Sequence, residues 1–295
     1  MLRQIPGKIR RYRAQLVELL ETGTTVYRTV AQLPEAPPPD AIRVVHMSDV
    51  HLSPFAFPLA QALVEQSGAE AVLDTGDLVD WGTPPERVLA RQIPSLGVPY
   101  VYIEGNHDSD GIAAAVARQA NAVVLTAHGG PREVAGLTLV GFGDPRFTPD
   151  KRTGDDHHPQ LPREAGEAFA DRLRTSGVRP DIALVHAPRA ARPLAGLVPL
   201  VLAGDTHRRR ARHEHGTTTL VQGSTGGSGL RGVQVDPPAP ISLSVLHLDR
   251  TTRTLWGVDE VTLDGLGGLG MSVVRRPLAA LLGDATPSRV EVAAR

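Results

Sequence analysis

The stretch Ala-Val-Leu-Asp-Thr-Gly-Asp-Leu-Val-Asp, residues 71–80, decides the fold of this chain. Three apolar residues are followed by a loop that carries a glycine and the carboxylates Asp77 and Asp80. A short apolar run bounded by such a loop is typical of a buried strand in a parallel sheet. Because ligands of open α/β sheets bind outside the carboxyl ends of the strands, the stretch predicts a functional loop at that edge.

The same pattern recurs at four other places in the sequence. Each time, a short apolar run ends and Asp, His or Asn side chains follow. These side chains are Asp49 and His51 after Ile42–Met47, Asn106 and His107 after Tyr100–Ile103, His186 after Ile182–Val185, and Asp205 and His207 after Leu200–Ala203. Imidazole and carboxylate groups are ligands of Zn, Mn and Fe. Since the chain has no cysteine, a metal site must be built from groups of this kind.

The remaining pattern predicts an α/β domain. Helical stretches alternate with strands in the first half of the chain, which predicts βαβ units, and strands cluster later, which predicts an antiparallel portion of the same domain. The predicted helices are Phe57–Ser67, Pro84–Ile93, Gly111–Gln119 and Arg163–Thr175, and the further strands are Ala71–Asp74, Val98–Ile103, Leu137–Phe142, Thr218–Val221 and Ile241–Leu248.

The composition limits the classes of function. The 31 Lys and Arg residues nearly balance the 32 Asp and Glu residues, for a formal net charge of −1 over 295 residues. That balance argues against a stable nucleic-acid partner, and we expect a small substrate. No apolar run approaches the roughly 20 residues that span a bilayer. Because the N-terminus also has no secretory signal pattern, we expect a cytoplasmic protein.

Both ends of the chain differ from its middle. Residues 1–33 predict a basic helical arm, and residues 34–40 form a Pro-rich linker. Two interpretations of the arm stay open: peripheral contact with a membrane or a partner, or a solvated helix packed on the body of the protein. Residues 263–295 are Gly-rich with a short helix near Pro277–Leu282, which predicts a loosely held tail.

Taken in order, the five polar blocks resemble one known family, the calcineurin-like metallophosphoesterase superfamily. The blocks are D-x-H from Asp49, G-D-x-x-D from Gly76, G-N-H-D from Gly105, the lone His186, and G-x-x-H from Gly204. The resemblance covers residues 41–262, a metallophosphoesterase domain, and is strongest to bacterial phosphodiesterase-type members. It implies two mixed β-sheets packed face to face with helices on both outer sides, a four-layer αββα sandwich.

The resemblance also implies a centre with two divalent metal ions (Mn, Fe, Zn or Mg, with Mn favoured). It implies hydrolysis of phosphate esters, in this subgroup phosphodiesters, through in-line attack of a hydroxide that bridges the metals. Asp77 is implied as the ligand that bridges the two ions. The other implied ligands are Asp49, His51 and His207 for the first ion, and Asn106, His186 and Asp205 for the second.

The resemblance gives His107 and Asp80 catalytic roles. His107 stabilises the phosphoryl oxygens and helps to protonate the leaving group. Asp80 orients His107, because a carboxylate partner stabilises the cationic imidazole that donates the proton.

One position departs from the family pattern. The usual last block reads G-H-x-H, whereas residues 204–207 read Gly-Asp-Thr-His, so Asp205 stands where a His ligand is usual. Three interpretations stay open: Asp205 coordinates the second metal and favours harder ions such as Mn, it reaches only a metal-bound water, or it impairs catalysis.

Two arginines are candidates for binding the substrate. Arg146 either binds a phosphate through two hydrogen bonds or stabilises a turn as the partner of Asp144. Arg208, directly after His207, either docks a phosphate or lies in a solvated turn. Two alternative functions also stay open: a catalytically weak binding or scaffold protein, which Asp205 suggests, and a nuclease, which the near-zero net charge disfavours.

Overall fold

A computed structural model describes residues 36–146, 158–227, 239–264, 270–283 and 288–293 of the chain. Within these ranges the strands form two mixed sheets, one of eight strands and one of six. Helices cover the outer face of each sheet. The prediction of an α/β fold with two mixed sheets flanked by helices is confirmed.

The first sheet joins a parallel half to an antiparallel half. Its strands are β1 (Ile42–Met47), β2 (Ala71–Asp74), β3 (Tyr100–Tyr102), β4 (Ala122–Val124), β11 (Ile241–Leu248), β12 (Leu255–Leu263), β13 (Gly270–Pro277) and β14 (Ser288–Ala293). The spatial order is β14-β13-β12-β11-β1-β2-β3-β4. Strands β1 to β4 pair in parallel, and β11 joins β1 antiparallel, with β12 to β14 continuing as antiparallel neighbours.

The second sheet is parallel in its centre and antiparallel at both edges. Its strands are β5 (Arg132–Val134), β6 (Leu137–Gly141), β7 (Ile182–Leu184), β8 (Leu200–Ala203), β9 (Arg210–Glu214) and β10 (Thr217–Val221). The spatial order is β5-β6-β7-β8-β10-β9. Strands β6, β7, β8 and β10 run parallel, and β5 and β9 close the two edges.

Alternation along the strands distributes the apolar side chains over three layers. In β1, Val44 faces the second sheet and Val45 faces the outer helices. In β8, Leu202 faces the first sheet and Val201 faces the helices on the other side. Both faces of these strands are buried, so they appear in the sequence as continuous apolar runs. The covering helices are α1 (Ala56–Ser67), the 3₁₀ segment Pro84–Leu96 and α2 (Asp110–Ala117) on the first sheet, and α3 (Leu161–Ser176), α4 (Pro188–Ala191) and the 3₁₀ segment Arg192–Leu194 on the second.

Several predicted strands have the observed bounds, and others are new. Strands β1, β2, β8 and β11 begin and end where the sequence predicted. Strand β9 was not predicted, because its segment was interpreted either as a solvated turn or as a phosphate-docking loop. Its residues are Arg, Ala, Arg, His and Glu and are largely exposed, because it is an edge strand with one neighbour.

The C-terminal segment differs from the predicted loosely held tail over residues 263–295. Gly270–Pro277 pairs with β12, and Ser288–Ala293 pairs with Gly270–Pro277 in turn, so both extend the first sheet. The glycine-rich composition did not indicate strands here, because main-chain pairing with a neighbouring strand does not depend on the local composition. A short helix, α5 (Leu278–Leu281), lies within the predicted span.

The predicted arm over residues 1–33 lies outside the described residues. Of the linker, residues 36–40 are described and lead into β1 without regular structure. No helix in the described ranges is long and apolar enough to cross a membrane.

Candidate metal centre

Loops from both sheets meet at the carboxyl edge of the sandwich. The main-chain N–H of Asp49 donates to the carbonyl oxygen of Gly76 (2.8 Å), and that of His51 donates to the carbonyl oxygen of Asp77 (3.0 Å). From the second sheet, the N–H of Asp205 donates to Asp49 Oδ2 (3.2 Å). These bonds hold the loops after β1, β2 and β8 against one another, as the position of ligand sites in α/β sheets leads one to expect.

The backbone is left-handed at most of the candidate ligands. Nine described residues other than glycine have a positive φ. Left-handed backbone costs roughly 1–2 kcal/mol per residue and persists where the surroundings require it. Five of the nine, with φ between 47° and 69°, are Asp49, His51, Asp77, Asp205 and His207. We infer that these loops are shaped to aim their side chains at one place.

Asp49, His51 and His207 form the first group of candidate ligands. His207 Nε2 lies 3.1 Å from His51 Nε2 and 3.2 Å from Asp49 Oδ1. The ligand atoms of the three residues all lie within 4.8 Å of one another. Asp49 Oδ1 is buried and has no hydrogen-bond partner of suitable geometry among the described residues. An unsatisfied buried acceptor costs about 1–3 kcal/mol, and a cation in this group would remove that cost.

The carboxylate of Asp80 fixes the orientation of His51. Asp80 Oδ1 lies 3.1 Å from His51 Nδ1, so Nδ1 is the nitrogen that carries the proton in the neutral ring. The lone pair of Nε2 then points toward His207 and Asp49. Metal-bound histidines commonly have such a carboxylate behind them, because it fixes the tautomer and raises the basicity of the ligating nitrogen.

His186 is the centre of the second group. Its Nδ1 lies 2.6 Å from the carbonyl oxygen of Thr75, so Nδ1 is the donor and Nε2 has the lone pair. Around Nε2 lie Asn106 Oδ1 at 3.1 Å, Asp77 Oδ2 at 3.3 Å and Asp205 Oδ1 at 3.7 Å. Four acceptor atoms therefore face one another in the second group.

Asp77 lies between the two groups. Its Oδ2 is 3.3 Å from His186 Nε2 and 3.6 Å from His51 Nε2. A carboxylate in this position can contact an ion in either group. Asp77 thus lies within reach of both groups, and Asp49 is shared by the two clusters of side chains that could hold an ion.

The electrostatics of the two groups favour positive charge. Burial alone would raise the pKa of Asp77, but His186 and His51 beside it hold that pKa below its usual range. Burial alone would lower the pKa of His186, but Asp77 and Asp49 raise it well above the usual range. A proton on His186 thus occupies the place in which a cation would be stabilised. The donor set of imidazole, carboxylate and amide fits one divalent ion in each group.

Asp108 holds the loop of Asp77 in place. Its carboxylate accepts hydrogen bonds from the N–H groups of Asp77 (2.8 Å), Val79 (3.1 Å) and Gly105 (2.9 Å). Burial and the charge of Asp77 raise the pKa of Asp108 to about 6. A Cβ atom on Gly105 would overlap the Asp77 side chain, so the close approach of these two loops requires glycine.

His107 lies beside the first group but is held differently from the predicted arrangement. Its ring centroid is 5.1 Å from that of His51. Its Nδ1 lies 2.8 Å from the main-chain carbonyl oxygen of Asp80. The sequence predicted that the Asp80 side chain orients His107, whereas the structure shows the Asp80 carboxylate against His51 and the Asp80 carbonyl against His107. The turn after β2 directs the side chain to the loop of β1 and the carbonyl to the loop of β3.

Asp205 lies beside the second group with an arginine partner. Asp205 Oδ1 accepts a hydrogen bond from Arg146 Nη2 (2.9 Å). Arg146 also forks onto Asp144, from Nε to Oδ1 and from Nη2 to Oδ2, both at 2.8 Å. The turn held by an Asp–Arg pair is therefore present, and the same guanidinium reaches the candidate ligand Asp205.

Arg208 is not brought to the centre. Its side chain is exposed, and its carbonyl oxygen accepts from Thr206 Oγ1 (3.3 Å). The next residue, Arg209, turns inward and donates to Gln222 Oε1 (3.2 Å) and Thr262 Oγ1 (2.5 Å), linking the two sheets. Burial lowers the pKa of Arg209 to about 10.

The sequence reasoning missed Glu86, a buried residue that holds the loop of Asp80. Its carboxylate accepts from the N–H groups of Asp80 (3.3 Å), Trp81 (3.2 Å) and Thr83 (2.6 Å). A sequence signal was present, because Thr83 and Glu86 have the spacing of a capping box at the start of a helical segment.

Comparisons with known proteins agree with this architecture. The sequence model of the calcineurin-like phosphoesterases matches residues 42–209. The crystal structure of TT1561 of Thermus thermophilus is similar with 16% identity and a TM-score of 0.50, over 76% of this chain and 99% of that chain. An archaeal phosphodiesterase is similar with 13% identity and a TM-score of 0.45, over 75% of this chain and 100% of that chain. At 16% identity the likeness to TT1561 concerns the fold alone. Comparison with curated proteins finds no match.

Proposed function

We propose, from the premise that this chain belongs to the calcineurin-like phosphoesterase family, that it hydrolyses phosphodiesters with two divalent metal ions. Family membership and the clustered ligands support a metallophosphoesterase with a metal site. The preference for diesters over monoesters and for Mn²⁺ over other ions is the finer part of the proposal.

One observation carries the proposal. The carboxylates of Asp49 and Asp77 converge with the Nε2 atoms of His51, His186 and His207 at one edge of the sandwich, within 4.8 Å in each group. Acceptor atoms that face one another in a buried site are unfavourable unless a cation lies among them. The oxygen of Asp205, where the family pattern has imidazole, favours a harder ion such as Mn²⁺.

Different residues of this chain have different roles in the proposed hydrolysis. Divalent ions held by Asp49, His51, His207, Asp77 and His186 would supply Lewis-acid stabilisation of the phosphoryl oxygens and an activated water. In the neutral ring the Asp80 carbonyl oxygen keeps the proton of His107 on Nδ1, so it is the cationic ring that has a proton on Nε2 to give to the leaving-group oxygen. Asp80 keeps His51 in the ligating tautomer, and Asp108 keeps the loop of Asp77 closed against Gly105.

The charges around Asp205 support the preference for diesters. Asp144 and Asp205 bring two negative charges against the single positive charge of Arg146. The surplus negative charge repels a dianionic monoester more strongly than a monoanionic diester.

The test compares bis-p-nitrophenyl phosphate with p-nitrophenyl phosphate. The protein is stripped of metal and then supplied with Mn²⁺, Fe²⁺, Zn²⁺ or Mg²⁺. We expect metal-dependent turnover of the diester, fastest with Mn²⁺ and lost in His207→Ala. The matched control His128→Ala changes an exposed histidine in the turn after β4 and should keep the wild-type rate. Absence of turnover with every metal would contradict the proposal.

A second pair of variants tests the diester preference. Asp205→His removes a negative charge and keeps a ligating group, so the monoester rate should rise relative to the diester rate by about tenfold. Arg146→Gln leaves Asp205 without its cation and should move the ratio in the opposite direction. An unchanged ratio in both variants would show that this charge does not select the substrate.

A further inference from the structure

A cavity of about 720 Å³ adjoins the candidate metal centre. Arg146 and Asp205 line it, and Asp205 Oδ1 is also 3.7 Å from His186 Nε2. The cavity and the centre therefore share a wall. A volume of this size is typical of pockets that hold a nucleotide-sized molecule.

The hairpin of β9 and β10 forms one wall of the cavity. Side chains two residues apart on a strand point to the same side. The sequence Arg-Ala-Arg-His-Glu of β9 thus turns two guanidinium groups and a carboxylate to one face. The register pairs them with residues that line the same cavity: Arg210 with Val221, Arg212 with Thr219, and Glu214 with Thr217.

Helix α4 and the 3₁₀ segment that follows it also line the cavity. They contribute Arg189 and Arg192 to the lining. With Arg146, Arg210 and Arg212, five arginines line the cavity, against the two carboxylates Asp205 and Glu214. The lining is strongly basic in a protein whose formal net charge is −1.

Three of these arginines carry charge that no described carboxylate compensates. Arg146 pairs with Asp144 and Asp205, and Arg212 pairs with Glu214. Arg189, Arg192 and Arg210 have no ion pair with any carboxylate in the described ranges, and Arg189 donates instead to the carbonyl oxygen of Pro159 (3.1 Å). Guanidinium groups bind phosphoryl oxygens bidentately, so Arg192 and Arg210 are suited to hold a phosphoryl group that enters the cavity.

We propose that the substrate is a phosphodiester that carries a further phosphoryl group, which Arg192 and Arg210 hold while the metal centre holds the scissile phosphate. This inference rests on the proposed function and names the substrate class of the same site. It also explains how a centre with surplus negative charge retains its substrate: the affinity comes from the arginine wall, away from the reacting phosphorus.

The experiment uses two chromogenic diesters that differ by one phosphoryl group. They are the p-nitrophenyl ester of thymidine 5′-phosphate and the same ester with a 3′-phosphate. In the Mn²⁺-loaded protein, the KM for the 3′-phosphorylated ester should be lower by about tenfold to a hundredfold. Arg192→Gln combined with Arg210→Gln should bring the two KM values together. The matched control Arg132→Gln changes an exposed arginine on β5, the opposite edge strand of the same sheet, and should keep the wild-type ratio.

A binding measurement on the metal-stripped protein separates the cavity from the chemistry. In calorimetry, thymidine 3′,5′-bisphosphate should bind the wild-type protein at least tenfold more tightly than thymidine 5′-monophosphate. The double variant should lose this difference, while its thermal unfolding should match that of Arg132→Gln.

The outcomes of the two experiments are distinct. Equal KM values for the two esters in the wild-type protein, or equal affinities for the two nucleotides, would overturn the cavity assignment and leave the phosphoesterase standing. Hydrolysis of neither ester with any of the four metals would overturn the proposed function, and the substrate assignment that rests on it would fall with it.

Discussion

Two buried clusters of charged residues in this protein are built in opposite ways. In the first sheet, Asp259 of β12 accepts from Arg275 Nε at Oδ1 (2.8 Å) and from Arg275 Nη2 and His247 Nε2 at Oδ2 (both 2.9 Å). Both of its oxygens are satisfied by side chains of neighbouring strands, while the donors Arg275 Nη1 and His247 Nδ1 are buried without a hydrogen-bond partner among the described residues. In the metal centre, by contrast, Asp49 Oδ1 is buried without a hydrogen-bond partner among the described residues, and imidazole lone pairs face carboxylates.

The difference separates a structural cluster from a functional one. The cluster of Asp259, Arg275 and His247 supplies its own positive charge, so it joins β11, β12 and β13 and needs no ligand. The candidate metal centre presents carboxylates and imidazole groups, and under the proposed function ions that bind there supply the positive charge. Each cluster therefore predicts a different response to mutation, metal and acid.

The largest expected effect is the loss of stability in Asp259→Asn. The change leaves Arg275, which is 2% exposed, as a buried charge without its anion. We expect a loss of about 3–5 kcal/mol in the free energy of unfolding, measured with urea. The matched control is Glu260→Gln on the next residue of β12, because the Glu260–Arg276 pair (2.9 Å) is partly exposed and should contribute only about 0.2–1 kcal/mol. Equal losses in the two variants would show that the buried cluster of Asp259 stabilises the fold no more than a partly exposed ion pair does.

The next largest effect is the stabilisation of the fold by metal that binds at the candidate metal centre. Mn²⁺ at a hundredfold excess over its Kd should raise the free energy of unfolding by about 2.7 kcal/mol. His207→Ala should reduce this gain, whereas Asp259→Asn should keep it, since it lies outside the centre. The measurement is urea unfolding with Mn²⁺ and with a chelator. A full gain in His207→Ala would show that the ion binds elsewhere.

A smaller effect is expected from Asp80→Asn. Asparagine keeps an acceptor oxygen for His51 Nδ1 and loses the charge that makes the ring basic. The affinity for Mn²⁺ should fall about 10- to 100-fold, as for other carboxylates behind metal-bound histidines. Calorimetric titration with Mn²⁺ measures this loss. A normal Mn²⁺ affinity with an altered pH profile of kcat would instead place Asp80 behind His107.

The smallest expected effect is the dependence of stability on acid pH that the cluster of Asp259 causes. Burial alone would raise the pKa of Asp259, but hydrogen bonds from Arg275 and His247 lower it. A carboxyl with a lowered pKa stabilises the fold above its unfolded pKa of about 3.9, and this stability is lost as the pH falls through the folded pKa. Unfolding of the metal-free protein between about pH 5 and about pH 2 should therefore show a shallower decline in Asp259→Asn than in the wild type. An unaltered slope in Asp259→Asn would contradict the lowered pKa.

The polar blocks supply the side chains that the structure brings together at one edge of the sandwich, because each block follows a strand directly. A residue that follows a buried parallel strand lies at the carboxyl edge of its sheet, so Asp49 and Asp77, after the neighbouring strands β1 and β2, had to come near each other. His186 follows β7 of the other sheet and meets them only because the two sheets pack together. The edge strand β9 and the C-terminal β13 were not predicted. Their charged or glycine-rich sequences resemble loops, and their pairing depends on neighbours that local patterns do not identify.

Sequence alone was therefore sufficient for the fold class, the strand ends and the set of candidate ligands, since these depend on periodicity of two and on spacing within single loops. Contacts across the two sheets needed the tertiary structure. The pair of Arg146 and Asp205 joins residues 59 positions apart, and the arginine cavity joins β9 to the segment after β7. The tertiary structure also decided that the main-chain carbonyl oxygen of Asp80 contacts His107. Periodicity defines the side of a strand on which a residue lies, whereas the packing of layers decides which residue of another layer it meets.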